Sequence, residues 1–227
     1  MANKVKAIIL AGGRGTRLMP LTENQPKCML KIGGKPILEH IVSNLRRHSI
    51  NDISVTTHYR SKQIKEYFGA TLKYLHEDKP LGNAGRLSTI PRDRDVPWLV
   101  INGDLMVDIN FWAPIRHFLR KPAVHTVTCA TRINACEPYG RIMLDHHTNN
   151  SYIEENHTHS YLANAGIYII GYHAQLPEKP VFSMVDIINL NSHHNSVHIL
   201  DGTWMDIGTV QDYAKAQDIY QHKKEEL

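Results

Sequence analysis

The segment from Lys6 to Lys27 constrains the fold more than any other part of the chain. It opens with Ala7–Ala11, an almost wholly apolar run, which predicts a buried strand of a parallel sheet. Three glycines follow directly: Gly12, Gly13 and Gly15. Glycines at a strand end let the backbone adopt positive φ and approach a ligand, so that its N–H groups can point at phosphate oxygens.

Positive charge accompanies these glycines. Three cations in the same segment would neutralise phosphate oxygens: Arg14, Arg17 and Lys27. The dinucleotide fingerprint G-x-G-x-x-G is excluded because Leu18 stands where its third glycine would be, and no P-loop string occurs. Glycines alone would also suit a tight strand-to-helix turn. The added arginine, proline and lysine favour a loop that binds a nucleoside triphosphate.

The full string G-G-x-G-T-R-L-x-P-L-T-x-x-x-P-K resembles the signature of the sugar-1-phosphate nucleotidyltransferases, also called NDP-sugar pyrophosphorylases. Six further blocks continue the resemblance in the family's order: Gly34–His40, Lys79–Gly85, Ile101–Asp104, Glu137–Gly140, Asn164–Tyr168 and Trp204–Gly208. Together they span nearly the whole chain. The resemblance implies one nucleotidyltransferase domain over residues 1–227, an α/β, Rossmann-like mixed sheet flanked by helices, as in the GT-A-like nucleotide-diphospho-sugar transferases.

The composition excludes several other classes. The 227 residues are 42% apolar and 21% charged, which is ordinary for a globular domain with a substantial core. The net charge of +4 is small and no basic stripe occurs, so nucleic acid is not an expected partner. The three cysteines are widely spaced and the fifteen histidines form no metal-binding motif, which argues against disulfides and zinc. Without a signal peptide or a long apolar run, we expect no membrane association and a cytoplasmic location; a homo-oligomer is left open.

Strand and helix signals alternate in the first half of the chain. Pro36 precedes a helical pattern that runs to about Arg47, and Ile53–Thr57 reads as a strand. Trp98–Ile101 reads as a buried strand that leads into Asp104. Ligands of open α/β sheets collect at the carboxyl ends of strands, so the glycine loop and Asp104 are expected at the same edge.

The second half is predicted to be more antiparallel. Strands are expected at Thr126–Thr131 and Ala165–Ile170. Gly140–Leu144 and Ser151–Glu155 predict a hairpin around a turn at His146–Asn150. Further on, Trp204–Ile207 precedes a final helix from about Val210.

The chemistry of the family brings two polyanions together. The attacking group is already an anionic phosphate oxygen, so the site needs charge neutralisation and alignment rather than a general base. Hard oxygen ligands suit Mg²⁺, and the resemblance implies that Asp104 and Asp206 hold it. Alternatively, Asp104 caps the following turn and Asp206 ends a strand. Asp108 could lie near the metal, but a helix N-cap before Phe111 is the favoured interpretation.

The resemblance also assigns residues to the nucleotide. Arg17 and Lys27 match the family's catalytic cations at the triphosphate, together with Asp104. The expected nucleotide-binding residues are Ala11, Gly12, Gly13, Gly15, Thr16, Gly82, Asn83, Gly85 and Asn102. Among them, Gly82 and Gly85 match positions that pack on the nucleobase, with a plain turn as the alternative.

Three residues match the family's sugar-phosphate positions: Gly140, Glu155 and Asn164. For Glu155, a solvated hairpin edge is the alternative. The family commonly continues with E-K-P, whose lysine binds the phosphate of the sugar, whereas here Asn156 and His157 follow. Either His157, Arg141 or another cation replaces that lysine, or the substrate differs, or activity is weak.

These features predict a Mg²⁺-dependent enzyme that transfers a nucleoside monophosphate from an NTP, with GTP favoured, to a sugar 1-phosphate. The resemblance is strongest to short bacterial hexose- or heptose-1-phosphate guanylyltransferases that serve surface-glycan synthesis. The muramate 1-phosphate uridylyltransferases are also similar, so the nucleobase of the NTP is left open. A weakened member that senses nucleotide or nucleotide sugar is the main alternative. A dinucleotide-dependent oxidoreductase is the other, and the missing third glycine argues against it.

Overall fold

The computed structural model describes residues 4–145, 147–148 and 150–225. The strands are β1 Lys6–Leu10, β2 Lys31–Ile32, β3 Lys35–Pro36, β4 Ile53–Thr57, β5 Lys73–His76, β6 Trp98–Asn102, β7 Leu105–Ile109, β8 Thr126–Cys136, β9 Arg141–Asp145, β10 Asn150–Glu154, β11 Thr158–Ile170, β12 Asn195–Ile199 and β13 Gly202–Asp206. The helices are α1 Ile37–Arg47, α2 Ser61–Phe68, α3 Trp112–Leu119, α4 Met184–Leu190 and α5 Val210–Glu225. The predicted helix after Pro36 is confirmed, with Pro36 at its N-cap.

A seven-stranded sheet forms the centre, in the order β12-β8-β11-β6-β1-β4-β5. Strand β1 pairs in parallel with β4 and β6, and β5 pairs in parallel with β4. Strand β11 runs antiparallel to both β6 and β8. The sheet is therefore mixed, parallel in its first half and more antiparallel in its second, and this confirms the predicted fold class.

Both faces of the sheet are buried, which explains the continuous apolar run of β1. Ile9 packs on one face in a cluster with Leu38 and Ile41 of α1. Ile8 packs on the other face with Met184 of α4 and Leu87. Because neighbouring residues of a strand point to opposite faces, a strand covered on both sides is apolar along its covered length, here from Ala7 to Leu10. Each fully buried isoleucine contributes about 1.5–3 kcal/mol relative to an exposed one.

A second, two-stranded sheet pairs β7 with β13 and sets Asp206 opposite Leu105. The predicted N-cap role of Asp108 is wrong: Asp108 lies within β7 and forms an ion pair with Arg47 of α1. Asn110 serves the start of the next helix instead, because its Oδ1 accepts a hydrogen bond from Trp112 N at 3.0 Å. The long-range pairing with β13 extends β7 past the position where a local cap was expected.

The antiparallel half is longer than predicted. The predicted strand at Thr126–Thr131 continues to Cys136, because β8 and β11 extend together as a ribbon beyond the sheet. The hairpin is confirmed as β9 paired antiparallel with β10. In its predicted turn, positions 146 and 149 lie outside the described residues. No helix in the described ranges is both long enough and apolar enough to cross a membrane.

Candidate active site

The carboxyl ends of β1 and β6 form the edge on which the site is built. Leu10 lies opposite Asn102 in the parallel pairing, and Gly103 N donates a hydrogen bond to Leu10 O at 2.9 Å. The glycine loop and Asp104 therefore start side by side, as predicted. A cleft of about 620 Å³ opens above this edge. Its lining residues are Leu10, Gly12, Gly13, Arg14, Thr56, His58, Tyr59, Glu77, Pro80, Gly82, Asn83, Asn102 and Asp104.

Gly15 turns the loop back toward Lys27. Its φ of +68° lies in the left-handed region, and a Cβ at this position would lie 2.9 Å from Lys27 Cβ. Thr22 Oγ1 donates a hydrogen bond to Gly15 O at 2.8 Å and holds the turn. Both the backbone angle and the close approach require glycine here. The turn leads into a short 3₁₀ segment, Thr16–Leu18, which carries Thr16 and Arg17.

Asp104 forms an ion pair with Lys27. The distance between Lys27 Nζ and Asp104 Oδ2 is 2.5 Å, and the Lys27 side chain is only 12% exposed. The other carboxylate oxygen, Asp104 Oδ1, is buried and has no hydrogen-bond partner among the described residues. A buried carboxylate oxygen without a partner is costly, and its presence points to a ligand that completes the site.

Asp206 lies beside Asp104 because β13 pairs with β7. Ile207 N donates to Asp104 O at 3.0 Å, which connects the residue after β13 to the residue before β7. Burial raises the pKa of the Asp206 carboxyl, the charge of Asp104 raises it further, and Lys27 and Arg17 oppose the shift. The structure thus brings together the two predicted metal ligands and the two predicted catalytic cations.

These two carboxylates fit a magnesium ion. Mg²⁺ binds oxygen ligands, and it usually takes one or two carboxylates and completes its shell with water and substrate phosphates. Asp104 and Asp206 supply two carboxylates at one edge, and Asp104 Oδ1 is available for a further partner. The donor set therefore suits a magnesium ion.

Glu77 is a residue of the cleft that sequence reasoning missed. It follows β5 directly, it is only 5% exposed, and burial raises the pKa of its carboxyl. Its Oε2 would lie 3.7 Å from a Cβ at Gly12, so it faces the glycine loop. Its position directly after β5, at the carboxyl edge of the parallel strands, is the signal that could have found it, since ligands collect at that edge.

The loop at residues 79–85 packs against the segment that leads into α4. Asn83 Oδ1 accepts a hydrogen bond from Met184 N at 2.9 Å, and Gly82 lies against Phe182. Gly82 and Asn83 line the cleft. Gly85 is buried below the loop, where a Cβ would lie 2.7 Å from Pro180 O. The structure therefore places the first two at the cleft and Gly85 in a packing position.

The predicted sugar residues fall into two places. Asn164 lies at the β-bulge of β11, where its Oδ1 accepts from Gly166 N at 3.0 Å. Gly166 in turn lies against Asn102 of the cleft, since a Cβ there would lie 2.6 Å from Asn102 Nδ2. Gly140 and Glu155 lie together at the base of the β9–β10 hairpin, outside the cleft lining.

Asn156 stands at the position of the family lysine, and the two residues that could replace that lysine, Arg141 and His157, each lie beside a carboxylate. Asn156 has a φ of +56°, a conformation that asparagine tolerates better than lysine. Arg141 donates two hydrogen bonds to Glu137, at 2.7 and 2.5 Å. His157 Nδ1 lies 3.2 Å from Glu154 Oε2. Because Arg141 and His157 both have carboxylate partners, a phosphate would have to compete with those carboxylates.

A glycine loop, a carboxylate pair and two cations at the carboxyl edge of parallel strands are the features of a nucleotide-binding α/β protein. The chain belongs to the nucleotidyl transferase family, whose profile matches residues 6–223. It is 30% identical to a mannose-1-phosphate guanyltransferase of Yarrowia lipolytica over 95% of this chain and 64% of that protein. It is 28% identical to the mannose-1-phosphate guanylyltransferase catalytic subunit beta of Drosophila melanogaster, over 97% of this chain and 64% of that one. The chain thus spans 64% of the length of these relatives.

Solved structures share the fold. HddC from Yersinia pseudotuberculosis superposes with a TM-score of 0.72 at 24% identity, over 95% of this chain and 99% of that chain. LicC, the CTP:phosphocholine cytidylyltransferase from Streptococcus pneumoniae, superposes with a TM-score of 0.68 at 22% identity, over 95% and 99% of the two chains. At these identities the likeness establishes the architecture, which is the predicted GT-A-like type.

Proposed function

We propose that the protein transfers GMP from GTP to a sugar 1-phosphate and releases pyrophosphate. The observation that carries this proposal is the convergence of Asp104, Asp206, Lys27 and Arg17 beside the glycine loop. Phosphoryl transfer depends almost entirely on positioning and charge stabilisation, and this arrangement offers both. Membership of the nucleotidyl transferase family supports the reaction class, and the guanylyltransferase relatives support GTP.

In this mechanism the backbone amides of the glycine loop hold the triphosphate at the carboxyl edge of β1. Asp104 and Asp206 would hold Mg²⁺, which when bound supplies positive charge to the phosphate oxygens. Lys27 would stabilise the negative charge that develops at the α-phosphate, and Arg17 would stabilise the leaving pyrophosphate. No side chain has to remove a proton, because the attacking phosphate oxygen of the sugar is already anionic.

Glu77 supports guanine as the base. Guanine presents an N1–H and an exocyclic amino group on one edge, and a carboxylate can accept from both. Glu77 is buried in the cleft between the glycine loop and the Gly82 loop, where the base is expected. Adenine and the pyrimidines lack this pair of donors, so they would leave the Glu77 carboxylate with the backbone N–H of Leu81 but without its two partners on the base.

The sugar would lie beyond Asn102, toward Asn164. Gly140 and Glu155 would reach it from the hairpin, and the cation that binds the sugar's phosphate is left open. Arg141 and His157 already have carboxylate partners, Glu137 and Glu154. This favours a second candidate function, that of a weakened family member that senses a nucleotide or nucleotide sugar. Since the substrates of the proposed reaction are cytoplasmic metabolites, we also propose a cytoplasmic location. A role in bacterial surface-glycan synthesis stays a prediction.

Pyrophosphate release tests the proposal. The protein is assayed with Mg²⁺, each of the four NTPs, and hexose, hexosamine and heptose 1-phosphates. We expect release with GTP and one class of sugar. Nucleotide binding by calorimetry without release from any pair would favour the sensor, and the absence of nucleotide binding would contradict both functions.

A further inference from the structure

The β9–β10 hairpin exposes an apolar face. Ile142 is 71% exposed, Leu144 63% and Ile153 68%. The antiparallel register sets Ile142 directly opposite Ile153, and Leu144 points to the same side as Ile142 because side chains alternate along a strand. Contiguous exposed apolar side chains of this kind mark an interaction surface.

The same hairpin has an open edge. It forms a two-stranded sheet of its own, in the order β10-β9, so in the described part of the chain the outer edge of β9 has no neighbouring strand. An open, apolar edge presents unpaired N–H and C=O groups and is a template for another strand. Apolar side chains and unpaired backbone groups together indicate a strand as the missing partner.

The sequence of β9 is complementary to itself. In an antiparallel pairing of two copies, with the two-fold axis at Met143, Arg141 lies opposite Asp145 of the second copy and Ile142 lies opposite Leu144. Arg141 and Asp145 each have a partner within their own chain, Glu137 and Thr148. Across the axis their opposite charges meet at both ends and apolar residues meet in the middle, which are favourable cross-strand pairs. The outer strand β10 has no such symmetry, because self-pairing there would set Asn150 against Glu154.

We propose that β9 is a homodimer interface, in which two copies pair edge to edge and form a four-stranded sheet in the order β10-β9-β9-β10. The contact is isologous, as in most dimers with two-fold symmetry, so the β9 edge of each copy closes that of the other and no third copy can add at this edge. The apolar faces of both hairpins become continuous across the axis. Gly140 and Glu155, at the base of the hairpin, would be held by the same contact.

A cysteine placed on the axis tests the register. Directly opposed residues of antiparallel strands have Cα atoms about 4.5–5.5 Å apart, within the range that a disulfide spans. We expect Met143→Cys, in a Cys136→Ser background that removes the exposed native thiol, to form a disulfide-linked dimer under mild oxidation. Ser151→Cys in the same background is the matched control, because the two copies of β10 would lie three strand spacings apart, about 14 Å.

Charge reversal tests the pairing without a disulfide. Light scattering of the wild type should give twice the chain mass of 25.9 kDa at high concentration. Asp145→Lys sets like charges opposite each other and should return the protein to the monomer mass, whereas Asp145→Glu keeps the negative charge and should leave the protein dimeric. Circular dichroism confirms that each variant is folded. A monomeric wild type, or a dimer that survives Asp145→Lys and does not cross-link through Met143→Cys, would overturn the proposal.

Discussion

Lys27 and Asp104 lie 77 residues apart in the chain, yet Lys27 Nζ lies 2.5 Å from Asp104 Oδ2 at the carboxyl edge of the sheet. The ammonium neutralises one oxygen of a carboxylate whose other oxygen is buried without a partner. A metal ion that binds Asp104 therefore meets a site that already holds a competing positive charge.

Replacement of Lys27 should affect metal binding and turnover in opposite directions. In Lys27→Met the competing ammonium is absent, so Mg²⁺ affinity measured by calorimetry should rise, by about tenfold for ~1.4 kcal/mol. Pyrophosphate release should fall about 10²–10³-fold, because one donor to the transition-state charge is lost. Lys27→Arg retains the charge and is the control. A parallel loss of metal affinity and turnover in Lys27→Met would contradict this role.

Removal of either proposed metal ligand should strongly lower Mg²⁺-dependent turnover. Asp104→Asn and Asp206→Asn should each lower pyrophosphate release by about 10²–10³-fold, since metal charge stabilisation amounts to several kcal/mol. Asp108→Asn is the matched control, because Asp108 lies in the same β7–β13 sheet and pairs with Arg47 on the surface. Equal losses in all three variants would indicate a general effect on the sheet instead of metal binding.

Glu77 should determine the base. In Glu77→Gln one of the two acceptors becomes a donor, so kcat/KM for GTP should fall by about 10–100-fold, the equivalent of one charge-assisted hydrogen bond. The values for ATP or UTP should fall less or rise, because an amide can donate and accept. The control is Asp78→Asn, which changes a neighbouring carboxylate that is 97% exposed. An unchanged ratio between the four NTPs would show that Glu77 does not contact the base.

Substitution of Gly15 should destabilise the protein more than substitution of Gly13 in the same loop. Gly15→Ala combines a left-handed backbone with a close approach to Lys27 Cβ, so the free energy of unfolding should fall by about 1–3 kcal/mol. Gly13→Ala is the control for stability, because no heavy atom lies within 4 Å of a Cβ at Gly13. Chemical denaturation measures both. Equal stability losses in the two variants would argue against this account of the loop.

A pair of histidines, His198 of the edge strand β12 and His117 of α3, should make the free energy of unfolding depend on pH. His198 of β12 faces His117 of α3, with ring centroids 5.4 Å apart, and Lys121 lies close to His117. Burial lowers the pKa of both imidazoles below the ordinary 6.5, and the neighbouring charges lower it further. The unfolded chain therefore binds more protons, and the free energy of unfolding should decrease as the pH falls through about 6.5. Thermal unfolding at a series of pH values measures this decrease.

The histidine pair can be separated from the other histidines by substitution. His198→Asn removes one member of the pair, and the decrease in stability below about pH 6.5 should become smaller. His222→Asn changes an exposed histidine of α5 and should leave the decrease as it is in the wild type. A pH dependence that is the same in all three proteins would rule out the pair as its source.

Local patterns in the sequence determined much of the fold. The apolar run of β1, the helix after Pro36 and the β9–β10 hairpin follow from residue spacing and turn chemistry, which act over a few residues. The glycine loop was recognised for the same reason, since its string from Gly12 to Lys27 is continuous. The resemblance to a family supplied what spacing could not, the pairing of Asp104 with the distant Asp206.

The tertiary structure alone decided which distant residues meet. Sequence placed Asp108 at a helix cap, but pairing with β13 made it part of a strand. Sequence assigned no role to Glu77, and only the strand order set the end of β5 at the same edge as β1. Local propensity acts between residues close in the chain, whereas strand order and register are set by burial of whole faces, and a single sequence does not state which faces meet.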